Sequence, residues 1–502
     1  MKKNRGAEVN LLLSLLSQTI IIFLAFANRL IFVKTLGKEY LGISGVITSV
    51  LSILQLAELG INAALQFHFY KPLYERDFAR VKALLIYARH IYHIISIVIL
   101  VAGLVFLPFL NVIIQTSIDG KEVLGFYLIF LLNTVASYLM VYKSLLLIAD
   151  QKMYVTSVIK TVVALVQNAF QIYVLIYCRN YYYYLSIMLF CTLLNNALIT
   201  LITNRRYHIC LNYSDSVTSL EDKANIIEMI KSTAVYRVGV IIINNTDNIL
   251  ISIIVSTVTV GVYSNYTMIL NAVNSFLAAG ISALIATIGR RRVSKTVEEQ
   301  YTFFRVMVYG FHYGSTISSY ILFCCINDLL QIVFGKEYVL SRQEVFFIVL
   351  TFFVQHVIDP IWMHREAMGL FNEIKYIMLI TAGFNIVFSI VLGNCLGLSG
   401  IVFATALSRI VTTVWYEPKV LYKKSFPLYK VKDYFILQLK LLIQDVFAGL
   451  IIVSLFHESN NSLFSIMYRT LIIIVLYTII FMVCNRKTNE MNCIIKYVTR
   501  LK

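Results

Sequence analysis

Two carboxylates and three arginines stand inside segments that are otherwise aliphatic. In IIINNTDNILIS, Ile241 to Ser252, a polar run from Asn244 to Asn248 with Asp247 in it interrupts a frame of isoleucines and leucine. Glu58 lies in LSILQLAELGINAAL, and Arg29, Arg237 and Arg409 lie in comparably apolar surroundings. An arginine fork matches phosphate or carboxylate bidentately. A carboxyl held out of water favours its neutral form, which suits it to exchange a proton or to hold a cation. These residue types therefore point to binding of an anionic group at Arg29, Arg237 and Arg409, and to ion coupling, H+ or Na+, at Glu58 and Asp247.

Their spacing ties them to helix faces. Ser44, Thr48, Ser52, Gln55, Glu58, Asn62 and Gln66 recur every three or four residues, as one face of a helix does. Arg237, Asn244, Asp247, Asn248 and Ser252 form a second stripe. Shorter ones are Ser14, Gln18 and Arg29; Thr267, Asn271 and Asn274; and Thr405, Ser408, Arg409 and Thr412. Gln18, Gln55, Asn62, Asn244, Asn248, Asn271 and Asn274 are thus candidates for the polar lining of a cavity. Each Asp or Arg at mid-helix costs about 2.5 to 3.5 kcal/mol on insertion scales, so these faces should look at protein or water rather than lipid.

The elements that carry the stripes are membrane helices. Of 502 residues 59% are hydrophobic and 14% charged, with a mean hydropathy of +0.78. Apolar runs of about 20 residues recur along the chain, and they lack the alternation of barrel strands. They read as an all-α integral membrane protein of roughly fourteen transmembrane helices. The net charge of +17 does not require nucleic acid. Most Lys and Arg fall on alternate connections, including Lys71 to Arg89, Arg290 to Lys295, Lys419 to Lys440 and Arg486 to Lys502. By the positive-inside rule this places both termini in the cytoplasm. The basic head before the first span has no cleavage site after it, so that span reads as a retained helix. The eight cysteines show no metal or redox spacing and read as packing residues, as the scattered histidines read as core or interfacial. No phosphate loop or hydrolase motif is present, and no cofactor is expected.

The chain also repeats. GISGVITSVLSILQLAELGINAAL from Gly42 and GVYSNYTMILNAVNSFLAAGISAL from Gly261 both open on glycine and close on Gly-Ile, small residues and Leu, at an offset of 219 that slips to 220 between Gly60 and Gly280. Six spans separate them, so they run in one direction. This gives two pseudo-symmetric six-helix lobes around a central cavity, an arrangement found in transporters that rock two halves. The divisions are residues 1–203 for the first lobe, 204–232 for a linker, 233–416 for the second lobe, and 417–502 for a basic segment, two extra helices and a tail. At this offset Asp247 and Asn248 align with Asn28 and Arg29. Other readings of the same residues stand beside these. Arg29 and Arg409 also fit snorkelling to the interface, Ser and Thr stripes fit helix packing, and Glu58 and Asp247 fit structural hydrogen-bond anchors.

VKTLGKEYLGISGV, LSILQLAELGINAAL, YKPLYERD, SYLMVYKSLLLIADQKMY, NNTDNILIS, VGVYSNY, VFGKEYVL, EAMGLF and LGLSGIVFATALSRI, in that order over about residues 9 to 426, resemble bacterial polysaccharide repeat-unit flippases, the O-antigen and capsule transporters of the MATE-like exporter superfamily. The resemblance implies a non-enzymatic transporter of the bacterial inner membrane. It implies export of an undecaprenyl-diphosphate-linked oligosaccharide through a cationic cavity, with a polysaccharide polymerase and a chain-length regulator as partners, and a monomer in contact with membrane lipids. Matching positions include Arg29, Glu58, Asp247 and the Tyr70, Lys71, Pro72 loop. Two features depart from the family pattern: Arg290 and Arg291 stand where an Asn-Leu pair is expected, and the 204–232 link lacks a Tyr-Pro. A multidrug cation antiporter of the same superfamily would share the lobes but favour a net acidic pocket. A membrane glycan polymerase or ligase would need a larger outer loop than this chain offers.

Overall fold

The computed structural model describes residues 5–58, 60–212, 218–456 and 462–493. Lys2, Lys3, Lys496, Arg500 and Lys502, and the side chains of Arg5 and Ser14, lie outside it. The principal helices in chain order are α1 Arg5–Thr35, α2 Gly37–Leu54, α3 Ile61–Glu75, α4 Phe78–Val105, α5 Gly120–Leu139, α6 Val141–Ala149, α7 Met153–Tyr177, α8 Tyr181–Arg206 and α9 Leu220–Ile254. They continue as α10 Thr257–Ser294, α11 Val297–Phe334, α12 Arg342–Val357, α13 Asp359–Met368, α14 Ile377–Leu396, α15 Leu398–Val411, α16 Thr413–Ser425, α17 Val431–Leu455 and α18 Leu463–Asn485. Among the described residues, twelve stretches are helical, long and apolar enough to cross a membrane. The pair α2–α3 and the helix α10 complete the roughly fourteen expected. These two are the repeat-related segments that begin at Gly42 and Gly261.

The chain forms two compact units, residues 1–261 and 262–502. In the first, α1 lies on α7, α7 on α8, α8 on α5 and α5 on α4, while α9 packs against α2 and α3. The stretch that carries the stripe from Ser44 to Gln66 is not one continuous helix. After Leu54 the chain tightens into a 3-10 turn, Gln55–Glu58, and Gly60 takes φ 77° before α3 begins. Only glycine adopts that left-handed backbone without a Cβ penalty. The break carries Glu58 at its edge.

The start of α10 crosses α2 at backbone contact. A Cβ on Gly42 would stand 1.8 Å from the carbonyl oxygen of Thr257, and one on Gly261 would stand 2.0 Å from that of Lys38. Lys38 and Thr257 are 219 residues apart, as Gly42 and Gly261 are. The two contacts are therefore equivalent under the internal repeat, like the reciprocal contacts of a two-fold interface. Small residues permit such crossings where there is no hydrophobic force between helices in lipid.

The 204–232 segment lies within the first unit, and its described residues are largely helical. α8 runs on to Arg206, a short helix spans His208–Leu211, and α9 starts at Leu220 with Ser219 as its cap, accepting from the Asp222 amide. Arg80 at the start of α4 holds Asp222 with Nη2 at 2.6 Å and Nε at 3.2 Å from the two carboxylate oxygens. Thr218 donates to the Ala83 carbonyl beside it.

In the second unit α14 packs on α15, α15 on α12 and α12 on α11. The extra helices α17 and α18 dock on α11 through polar contacts at three heights. Arg305 meets Glu490 at 2.8 Å, and Asp328 meets Arg469 at 2.7 Å. Between them Asp445 accepts from Tyr477 and Thr316 and pairs with His312 at 2.6 Å. Burying these groups without partners would cost several kcal/mol each, so they specify which helix the pair can join.

Two expectations follow. Gly42→Ala forces backbone apart at the crossing and should lower the stability of purified protein by about 1 to 3 kcal/mol, whereas Gly314→Ala, with open space around it, should be neutral or gain up to about 1 kcal/mol; thermal melts of both variants in detergent check this. The Arg80 guanidinium beside Asp222 holds its carboxyl below the usual aspartate value of 3.8. That contribution is complete above pH 3.8 and is lost as pH falls through the lowered value. The melting difference between wild type and Asp222→Asn should therefore be constant from neutral pH down to about 5 and shrink below about 4.

Candidate functional site

The polar stripe of α2 and the face of α9 that carries Arg237 meet around a cavity of about 350 Å³. Its walls include Ser52, Gln55, Glu58, Asn62, Arg237 and Asn245. Four of the predicted residues, Gln55, Glu58, Asn62 and Arg237, are thus brought together, with acid and base lining one space. Arg237 is exposed into it, while Glu58 is half-buried.

Glu58 is held from behind. Asn62, one turn further on, donates from Nδ2 to its carboxylate, Tyr138 donates a hydroxyl to it, and the Tyr92 hydroxyl in turn reaches Asn62 Oδ1. The rings of Tyr92 and Tyr138 stack at 6.5 Å. Behind this group is a second cavity of about 450 Å³, within the helices of the first unit, that Lys160, Gln167, Asn195 and Asn196 help to line. Glu58 and Asn62 belong to both linings and so form the partition between two polar spaces. A carboxylate in that position can face a cation on either side.

The other predicted residues take different places. Asn248 donates to Ser49 Oγ at 2.9 Å and ties α9 to α2. Asn244 is exposed on α9 and Asp247 half-buried, and neither is among the residues lining the two cavities. Asn245, which the stripe left out, lines the smaller one and turns its amide back to the Ile241 carbonyl. One residue along a helix rotates a side chain by about 100°, which decides between these neighbours. Gln18 is exposed on α1. Arg29 stands beside Tyr181 and Tyr184 and lines neither cavity. Its neighbour Asn28 is buried in a knot of α1, α7 and α8, donating to Asn168 at 2.9 Å and Gln171 at 3.0 Å and accepting from Tyr184. The polar notch of the first helix is satisfied inside its own bundle.

In the second unit Asn271 is exposed, and Asn274 meets His356 Nε2 at 2.8 Å. His356 Nδ1 is 2.8 Å from Asp359, across the break between α12 and α13. Discontinuous helices are where transporters place ion sites, so the trio is a second candidate for coupling. Sequence reasoning passed over it by treating the histidines singly. The signal was His356 three residues before an Asp-Pro pair that interrupts an apolar span. Arg409 lies close to Glu417, which is buried and accepts from Arg365 Nη1 at 2.9 Å to each oxygen. Arg365 thus holds this carboxylate, with the positive charge of Arg409 nearby. Glu417 stands inside α16 rather than in a solvated connection, which its placement in a basic segment concealed.

Residues 9–290 match the family described as polysaccharide biosynthesis protein. No curated protein matches the chain in sequence. In fold it is similar to the lipid II flippase MurJ in an inward closed conformation, with a TM-score of 0.69 at 14% identity, covering 95% of this chain and 99% of that one. It is similar also to the MATE multidrug transporter DinF-BH, with a TM-score of 0.62 at 13% identity over 85% of this chain and 97% of that one. For the Vibrio cholerae MATE transporter VcmN the TM-score is 0.57 at 10% identity, over 85% and 99%. At such identities the likeness is one of fold, and it agrees with the all-α membrane architecture expected from the sequence. The family match extends over more than half of the chain and takes in α2, α3, α9 and α10, with both repeat-related glycines and the Glu58 and Arg237 cavity. On that ground the chain belongs to the polysaccharide biosynthesis protein family.

Proposed function

We propose that the chain is a flippase that carries undecaprenyl-diphosphate-linked oligosaccharide repeat units across the bacterial cytoplasmic membrane, both termini inside, by alternating access coupled to an ion gradient. The observation that carries the reading is Arg237 lining the same cavity as Glu58, in a chain of this family. Membership in polysaccharide biosynthesis supports a glycan cargo, and a fold shared with a protein titled lipid II flippase supports a lipid-linked one.

The chemistry follows from the pair. A guanidinium inside the membrane needs a counter-charge, and Glu58 supplies it when the cavity is empty. The diphosphate of the carrier lipid competes for the same fork with a stronger bidentate match. A proton or sodium ion taken up at Glu58 removes its competing charge. Arg237 is then free to hold the cargo until the ion leaves on the other side. Gln55 and Ser52, which also line the cavity, offer polar groups to sugar hydroxyls. Arg237 is favoured among the three predicted arginines because it lines the cavity, whereas Arg409 is engaged near Glu417 and Arg29 stands among tyrosines. Asp247 and the His356–Asp359 pair are further coupling candidates.

Expression in a flippase-deficient bacterium should restore surface polysaccharide. Arg237→Ala should reduce the restored amount by about tenfold or more, the loss expected for a charged hydrogen bond, and Glu58→Gln should uncouple transport from the gradient. Unchanged restoration by Arg237→Ala would remove the phosphate role, and full gradient-dependent transport by Asp247→Asn would remove Asp247 from coupling. Failure with several repeat-unit types together with restored drug resistance would favour the multidrug exporter, whose fold this chain shares.

A further inference from the structure

At one end of the second unit, the start of α11, the first turns of α17 and the turn after α18 enclose a separate cavity of about 460 Å³. Three cations from these three elements line it: Arg305, Lys440 and Lys487. Two carboxylates line it too, but Glu490 is occupied, accepting from Arg305 Nε at 2.9 Å and Nη2 at 2.8 Å. Lys440 and Lys487 are exposed and have no ion pair among the described residues, and exposed Asp433 is the one remaining acid of the lining. Thr488 and Asn489 add polar groups to the wall.

The position of Lys440 says what kind of anion belongs there. It lies about 14 Å along α17 from Val431, well past the lysines at the helix start. Ile436, Ile443 and Phe447 share its face at helical spacing, and all three are exposed. A lone lysine on an outward apolar stripe of a membrane helix needs a phosphate at headgroup depth, or it must bend its chain back to water. Here it turns to a cavity whose other free cation is Lys487. An anion seated between the two lysines would have an apolar face directly below it to take acyl chains.

We propose that this cavity binds the phosphate headgroup of an anionic bilayer phospholipid, held between Lys440 and Lys487 with its chains along Ile443 and Phe447. The site is separate from the one assigned to the transported cargo, and lipid retention is read without any transport step.

The test uses full-length protein reconstituted with phosphatidylglycerol or with phosphatidylcholine, extracted in mild detergent and examined by native mass spectrometry. Wild type should retain phosphatidylglycerol and not phosphatidylcholine. Lys440→Gln with Lys487→Gln should retain about tenfold less phosphatidylglycerol, as expected for two interfacial charges. A matched variant, Lys419→Gln with Lys423→Gln, removes the same charge elsewhere and should behave as wild type. Equal retention by wild type and the Lys440, Lys487 variant would overturn the proposal. So would equal loss in both double variants, which would reduce the effect to net charge. Displacement of the bound lipid by millimolar inorganic phosphate would likewise overturn it, by assigning the cavity to a free anion.

Discussion

Inside a bilayer there is no water to satisfy a polar group, so every such group must find its partner within the protein. This constraint organises the molecule more than apolar burial does, because lipid tails are as apolar as the side chains they touch. Where helices of this chain meet, apolar side chains pack, as Phe304, Tyr422, Phe426 and Tyr434 do, and two further kinds of contact select the partner. Either small residues let backbones approach, as at Gly42 and Gly261, or polar side chains pair, as in the Asn28 knot, the Asp445 cluster and the Arg365–Glu417 pair. The long apolar stretches between them face outward.

The candidate site is the place where this rule is left partly open. Glu58 is well supported from behind by Asn62, Tyr92 and Tyr138, yet its front shares a cavity with an exposed arginine. A fully paired group would be inert, and an unpaired one would be too costly to hold in the membrane. A carboxylate between two polar spaces can change partners at modest cost. The break after Leu54 sets Glu58 at an edge, whereas a continuous helix would turn it with its neighbours. The start of α9, pinned to α4 by Arg80 and Asp222, fixes the height at which Arg237 enters.

Much of this was legible beforehand. Of the stripe from Ser44 to Gln66, Ser52, Gln55, Glu58 and Asn62 line the cavity, and of the stripe of Arg237, Asn244 and Asp247, Arg237 does. The repeat anticipated that Gly42 and Gly261 are equivalent, though not that each is required by the backbone of the other segment. What periodicity could not supply was the partner of each polar residue. Asn28 and Arg29 aligned with Asp247 and Asn248, yet Asn28 is spent on α7 and α8. Arg409, a candidate anion ligand by residue type, lies close to Glu417, which Arg365 holds. His312 and His356 looked isolated and each has a carboxylate at hydrogen-bond distance.

The sequence by itself determined the solvent, the helical class, the repeat, the polar helices and the family, because composition and 3.6-residue spacing are properties of each segment alone. Tertiary structure decided which polar residues remain available to a ligand. A side chain's partner sits on another helix, often more than a hundred residues away, and a turn of about 100° between neighbours chooses Asn245 over Asn244. Availability is therefore what remains after all internal pairings are made, and no single segment records it.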